Sequence, residues 1–214
     1  YIIFAIPIFL IGLYDDKFDL NPNLKLFLLS LIILLFIYFD KSSLIVDLKF
    51  SFFEKTIHVG KFSYLFTVLC YLLFVNACNM FDGINLQSSS YFLIFILFIS
   101  IVGQPSLFTL ILISSLLSFI VLNVKGKAFM GDSGVYLYSF TLGFIAIKTY
   151  NLNIISDVDT IFILMMVPGI DMLRMFVIRI IKRKNPFRPD NQHIHHLLNY
   201  KFNYKKTILI LNFM

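Results

Sequence analysis

The chain has 214 residues, of which 59% are hydrophobic and 14% charged, with a mean hydropathy of +0.86 and a formal net charge of +6. A soluble domain of this length cannot bury so much apolar surface, so the composition excludes an ordinary soluble enzyme and indicates a polytopic membrane protein. The basic excess suits an anionic lipid surface, and no nucleic acid partner is expected.

Tyr1 already lies inside an apolar run and Met214 lies a few residues into another, so residues 1–214 read as one membrane-embedded domain cut from a longer protein at both ends. A span needs about 20 apolar residues, fewer where a helix ends at a polar site. Residues 1–14 are the tail of a first span. Leu24–Phe39 forms the second, entered through Asn21-Pro22, an N-cap followed by a first-turn proline. Residues 42–59 are too charged to span, and the alternation of Ile45, Asp47, Lys49 and Ser51 with Val46, Leu48, Phe50 and Phe52 predicts short strands outside the membrane. Further spans follow at 62–77, 91–102, 106–123, 134–147 and 161–181, and an eighth begins at Thr207. The fold class is therefore an all-α transmembrane bundle of about seven or eight spans with a short external β-like segment. Cys70 and Cys78 sit in or beside one apolar run and read as small packing residues rather than a disulfide or metal pair.

Alternating the spans sorts the loops into two sets. Residues 14–25, 76–90, 123–134 and 174–206 carry 13 of the 18 lysines and arginines, and the opposite loops carry the other five. The positive-inside rule then places the first set in the cytoplasm. Asp15, Asp16, Asp19, Asp82, Asp132, Asp171 and Asp190 fall on that same side, as do His193, His195 and His196. Carboxylates at a membrane edge are costly and default to a functional reading. A transporter would instead place charges near the bilayer midplane, with internal repeats, and none is visible here.

Each group has a chemical reading beside a plainer one. Asp15, Asp16 and Asp19 close a helix, where negative charge is unfavourable and a cation should offset it; alternatively they form a solvated helix end. Asn76 and Asn79 share a helix face ahead of Asp82-Gly83, which suits either a pocket for a planar ligand or a capped turn. In Phe129-Met130-Gly131-Asp132-Ser133-Gly134 the glycines allow close backbone approach, and a helix N-terminus favours phosphate; capping by Asp132 or Ser133 is the plainer reading. Asp171 and Arg174, at i and i+3, form an ion pair that shapes the site. The loop 182–206 gathers three histidines among lysines and arginines, a pattern better suited to phosphates than to a metal.

These motifs, in this order, carry a resemblance. Asp-Asp-x-x-Asp from Asp15, Asn-x-x-Asn-x-x-Asp-Gly-x-Asn from Asn76, Phe-Met-Gly-Asp-Ser-Gly from Phe129, Pro-x-x-Asp-x-x-Arg from Pro168, and Pro-Phe-x-x-Asp-x-x-His-Ile-His-His-x-Leu from Pro186 run in register over nearly the whole chain. The chain resembles the polyprenyl-phosphate N-acetylhexosamine-1-phosphate transferases (glycosyltransferase family 4), which include the phospho-N-acetylmuramoyl-pentapeptide transferase of peptidoglycan synthesis. Its His-Ile-His-His form is closer to the branch that starts O-antigen, enterobacterial common antigen and teichoic acid glycans.

The resemblance implies a phosphotransferase that moves a sugar 1-phosphate from a UDP-sugar to polyprenyl (undecaprenyl) phosphate and releases UMP. That would be the first membrane step of a cell-envelope polysaccharide such as lipopolysaccharide. The peptidoglycan reaction and a non-enzymatic transporter are the alternatives. It further implies Mg²⁺, with Mn²⁺ as a substitute, held by Asp132 with Asp15 and Asp16. Asp15, Asp16, Asp132 and His195 would be catalytic, Asn79, Asp82 and Phe129 would contact the nucleoside, and Arg188, His193 and His196 would bind the diphosphate. The expected setting is a bacterial inner membrane with the site facing the cytoplasm and the protein pairing as a homodimer. The chain departs from the family where Leu86 replaces a glycine after Asp-Gly-x-Asn, and where Lys125-Gly126-Lys127-Ala128 stands for Pro-Ala-Lys.

Overall fold

The computed structural model describes residues 1–183, 198 and 200–213. Helix α1 covers Ile2–Phe18 and α2 Pro22–Phe39. A two-stranded antiparallel hairpin follows, β1 (Asp47–Phe50) with β2 (Phe53–His58), paired Asp47 to His58 and Leu48 to Ile57, with an irregularity before Phe50 meets Phe53. Then come α3 (Ser63–Phe81), α4 (Gln87–Gly103), α5 (Leu107–Val124), α6 (Gly131–Asn151), α7 (Val158–Ile181) and α8 (Tyr204–Phe213). The protein is a helical membrane bundle, as the hydropathy indicates. Among the described residues, four helical stretches are by themselves long and apolar enough to cross a bilayer: 22–39, 60–81, 107–124 and 158–181.

Helix α6 is the hub, packed against α1, α3 and α4. Its face sequence explains why. Ser139, Thr141, Gly143 and Ala146 are small and buried, and small residues let helices approach closely where the surrounding lipid gives no hydrophobic drive for association. Phe36 of α2, Tyr71 of α3, and Phe140 and Phe144 of α6 fill the resulting centre with edge-on and tilted ring contacts. The closest approach is between α1 and α6: a Cβ on Gly12 would lie 2.4 Å from Ser133 Cα, so only glycine fits.

The helices run past the apolar stretches that mark them. Helix α1 continues through Asp15 and Asp16 to Phe18, α4 begins at Gln87 rather than Tyr91, and α6 starts at Gly131 and ends at Asn151. Hydropathy records where lipid begins, whereas hydrogen bonding carries the helix on into the polar edge. The N-cap expected at Asn21 is present, its side chain accepting from the Asn23 amide with Pro22 at the first position.

The bundle has two polar ends. At one, the hairpin is tied to α6 and α7: Tyr150 donates to the Asp47 carbonyl and accepts from the Lys49 amide, Asn151 reaches the carbonyls of Ser42 and Leu44, and Asp159 holds Ser51 by its amide and hydroxyl. At the other end, the C-terminus of α1, the first turn of α2, the C-terminus of α3 and the N-terminus of α6 meet through side chains.

Candidate active site

The centre of the second end is Asp15, in the last turn of α1 with 4% of its side chain exposed. Its Oδ2 accepts from Lys25 Nζ at 2.6 Å and from the Tyr136 hydroxyl at 3.3 Å, and its Oδ1 accepts from the Leu20 amide at 2.9 Å. Lys25, one turn into α2, also lies 3.6 Å from Asp132 Oδ2. Tyr136, one helical turn beyond Asp132 on α6, donates to Asp132 Oδ2 at 3.3 Å and accepts from Asn79 Nδ2 at 3.1 Å. Four helices are thereby joined through one lysine, one tyrosine, one asparagine and two aspartates.

Asp16 faces α6 directly. Its Oδ1 accepts from the Asp132 amide at 2.7 Å and its Oδ2 from the Ser133 amide at 3.1 Å, so a carboxylate from α1 caps the N-terminus of α6. The pairing suits both helices, because negative charge is unfavourable at the end of α1 and favourable at the start of α6. Gly131 makes the approach possible: it adopts φ +63°, and a Cβ there would sit 2.8 Å from Asp16 Oδ2. The expectation that these amides await phosphate is corrected here, since two of them are taken by Asp16. The capping expected from Asp132 or Ser133 comes instead from a different helix.

Among the described residues, Asp15, Asp16 and Asp132 stand against Lys25, a net negative cluster in which burial and the neighbouring Asp15 push the Asp132 pKa up to about 7. Their oxygens are unequally committed. Asp15 and Asp16 each use both oxygens on protein donors, whereas the protein donors that reach Asp132 do so at Oδ2, its carboxyl lies against that of Asp15, and 30% of that side chain is exposed. Among the described residues no three of the types His, Cys, Asp or Glu are gathered tightly enough to enclose an ion. The chain thus offers a charged edge with one available carboxylate. That arrangement fits Mg²⁺, which keeps waters and is bound through one or two carboxylates plus phosphate oxygens.

Beside this cluster lies a cavity of about 140 Å³, lined by residues that include Asp82, Asn85, Leu86, Ser89, Asn123 and Phe129. Asn123, at the end of α5 and buried, ties its two walls together. It accepts from the Leu86 amide at 2.6 Å and donates to the Ala128 carbonyl at 2.7 Å. Asp82 caps the C-terminus of α3, beyond the apolar run. Burial, with a smaller contribution from the nearby Asp16 charge, pushes its pKa up to about 6. Phe129 stands at the rim, 74% exposed, with its ring accessible for stacking. Leu86, where the resembled family has glycine, adopts φ +68°: the left-handed backbone a glycine would take is kept without the glycine.

Of the residues singled out in the sequence, the structure brings Asp15, Asp16, Asn79, Asp82, Phe129 and Asp132 to one end. Asn76 spends its amide on the Leu72 carbonyl of its own helix. Asp171 and Arg174 do pair, at 2.9 Å. Arg188, His193, His195 and His196 lie outside the described residues. Lys25, Tyr136 and Asn123 were not singled out. A lone lysine near the start of an apolar helix, and a tyrosine four residues after Asp132 on the same helical face, were the available signals.

The glycosyl transferase family 4 model matches residues 1–150. An undecaprenyl-phosphate alpha-N-acetylglucosaminyl 1-phosphate transferase of Thermotoga maritima is 32% identical over 212 residues, covering 99% of this chain and 65% of the relative. Proteins of the same description from Salmonella typhi (31% identical, 92% of this chain, 57% of theirs) and Escherichia coli K12 (32% identical, 88% and 54%) are also similar. The chain spans between about half and two thirds of the length of these relatives.

Proposed function

The chain belongs to glycosyl transferase family 4, and on that premise we propose that it transfers an N-acetylhexosamine 1-phosphate from a UDP-sugar to polyprenyl phosphate. An oxygen of the lipid phosphate attacks the sugar-bearing phosphorus, the bond from that phosphorus to the bridging oxygen breaks, and UMP leaves. The observation that carries the reading is the cluster of Asp15, Asp16 and Asp132 around Lys25, beside a cavity edged by Asp82 and Phe129. The names of the similar proteins favour N-acetylglucosamine as the sugar.

Transfer of a phosphoryl group between two anions depends mainly on positioning and charge compensation. Asp132 is the residue to hold Mg²⁺ through its less committed oxygen, with Asp15 and Asp16 supplying the surrounding negative charge. When bound, the ion would neutralise diphosphate oxygens. Lys25 keeps Asp15 and Asp132 oriented, and Tyr136 fixes Asp132 relative to Asn79. A phosphate monoester is largely ionised at neutral pH, so no strong base is required of Asp15. On this reading Asp82 and Asn79 would meet the polar edge of the nucleoside and Phe129 would stack on its base, while Arg188, His193, His195 and His196 would supply cationic and hydrogen-bonding partners for the diphosphate. The excess of lysine and arginine in the loops of this end orients it toward the cytoplasm of a bacterial inner membrane.

The test is exchange of labelled UMP into UDP-N-acetylglucosamine by the full-length protein in membranes, with polyprenyl phosphate and Mg²⁺ present. Asp132→Asn is expected to abolish cation-dependent exchange while the folded protein is still recovered from detergent. Near-normal exchange in that variant removes Asp132 from the metal role, and no exchange by the wild-type protein with any UDP-sugar removes the transferase reading.

A further inference from the structure

The hairpin carries apolar surface that the bundle does not cover. Phe52, at its tip, is 80% exposed, Phe53 and Ile57 of β2 are each 46% exposed, and Phe62, where the chain enters α3, is 71% exposed. A contiguous apolar patch on a protein surface marks an interaction site. The charges of residues 42–59 keep this segment from spanning a bilayer, yet they do not decide whether it stands up in water or lies along the lipid.

The points at which the hairpin is fixed decide it. Its root is held by α3: the Ile45 amide donates to Thr67 Oγ1 at 2.9 Å, and Thr67 donates in turn to the Ser63 carbonyl at 2.7 Å. The apolar stretch of that span begins at Gly60, so Thr67 lies about 10 Å inside it at 1.5 Å per residue. The tip is held by α7: Asp159 accepts from the Ser51 amide at 3.0 Å and from its hydroxyl at 2.6 Å. Asp159 is the second residue of α7, whose apolar stretch begins at Val158. Both helices start at this end of the bundle and pack side by side. Ser51 is six residues beyond Ile45, about 20 Å of extended chain. Aligned with the bilayer normal, that length would lift Ser51 about 10 Å clear of the apolar stretches. The bond to Asp159 forbids this, so the hairpin lies across the helix ends, at the level where hydrocarbon meets headgroups.

We infer that the hairpin is an interfacial anchor whose tip, Phe52 and Phe53, lies among the headgroups and upper acyl chains of bulk phospholipid in the leaflet on this side. Continuity with the lipid-facing surface identifies the occupant. Phe62 and Leu65 follow the hairpin directly and are 71% and 59% exposed, on a stretch long and apolar enough to cross a bilayer. Apolar aromatic side chains beside basic ones suit this zone, and exposed Lys55 and Lys61 lay their alkyl stems along lipid with the ammonium groups at phosphate level. Because the hairpin is fastened to α3 and α7 at once, the anchor sets the depth of both helices together. The inference is independent of the transferase reading.

The test uses the full-length protein in phosphatidylcholine nanodiscs, where both faces meet solvent. The present chain has no tryptophan, so Phe52→Trp adds one reporter at the tip, read as the difference from the wild-type spectrum. Phosphatidylcholine brominated near the headgroup is expected to quench that signal about twofold or more, with blue-shifted emission, and aqueous iodide is expected to quench it much less. Strong iodide quenching without quenching by brominated lipid puts the tip in water and overturns the inference. Quenching by neither reagent puts the tip against protein, a second copy or another segment, and overturns it equally. Should Phe52→Trp not fold, as judged by helicity in circular dichroism, Phe53→Trp reports on the same tip with the same outcomes.

Discussion

Lys25 was hidden in an apolar run, yet Asp15 cannot be buried without it, and replacing it by Met isolates that dependence. Lys25 Nζ lies 2.6 Å from Asp15 Oδ2, and the two side chains are 16% and 4% exposed. After Lys25→Met, the Asp15 carboxylate keeps the Leu20 amide and the Tyr136 hydroxyl but has no counter-charge within bonding distance among the described residues. Removing one partner of a well-buried pair costs about 3–5 kcal/mol, and the partial exposure of Lys25 places this case at about 3 kcal/mol. In Asp15→Asn/Lys25→Met the buried charge is gone and the amide can still accept from Leu20, so about 2 kcal/mol should return. The assay is SDS titration of the detergent-solubilised protein with helicity read by circular dichroism, on wild type, both single variants and the double variant. A loss below about 0.5 kcal/mol in Lys25→Met, or a double variant no more stable than Lys25→Met, refutes the argument that Lys25 serves as the counter-charge for a desolvated carboxylate. UMP exchange on the same samples separates the two roles: the double variant should be stable and inactive.

Gly12→Ala places a methyl within 2.4 Å of the Ser133 backbone, which cannot move aside like a side chain, so α1 and α6 must separate at about 2–3 kcal/mol, read by the same titration. Leu86→Gly relieves about 1–2 kcal/mol of left-handed strain but gives up about 1 kcal/mol of half-buried leucine and roughly 0.4–1 kcal/mol of chain entropy, so stability in the same titration should change by less than about 1 kcal/mol. Asp82 holds its proton in the folded state to about pH 6, whereas an ordinary aspartate releases it near 3.8. Its contribution to stability is therefore fully present below about pH 4, falls as the pH rises to about 6, and is flat above; a stability difference between wild type and Asp82→Asn that does not change between pH 4 and 6 would show that Asp82 is not buried as described.

Much of this was legible in the sequence for a specific reason. Charge is so costly at a membrane edge that Asp15, Asp16, Asp82 and Asp132 mark themselves, and alternating the spans suffices to bring them to one end. Short strands in this segment were legible from the period of two over 45–52, while their pairing as a hairpin was not. Which oxygen meets which donor was not legible, because that depends on how each helix is rotated about its axis. Lys25 reads as one more basic residue of the cytoplasmic loops until α2 turns it toward Asp15. Asn123 reads as the polar end of a span until its amide closes the loop at Leu86. Leu86 reads as a departure from a glycine motif, whereas its backbone takes a left-handed φ of 68°, and its amide is held by Asn123.

The allocation of partners at α6 bears on how an anionic substrate would be held. A helix N-terminus is ordinarily a phosphate site, and the glycines around Asp132 invite that reading. Asp16 occupies the Asp132 and Ser133 amides, and Lys25 is engaged by Asp15, so among the described residues these sources of positive character are already spent on carboxylates. A diphosphate approaching this surface meets a net negative patch with Asp132 Oδ1 as its least committed group. On the proposed reading, binding there calls for positive charge from outside the cluster, and the sources proposed are a divalent cation on Asp132 and the basic and histidine residues of the sequence 182–206. Substrate affinity should therefore depend on both together. Removing either the cation or the basic side chains at 182–206 leaves the carboxylates repelling the diphosphate, so the two losses should be less than additive in binding free energy when combined.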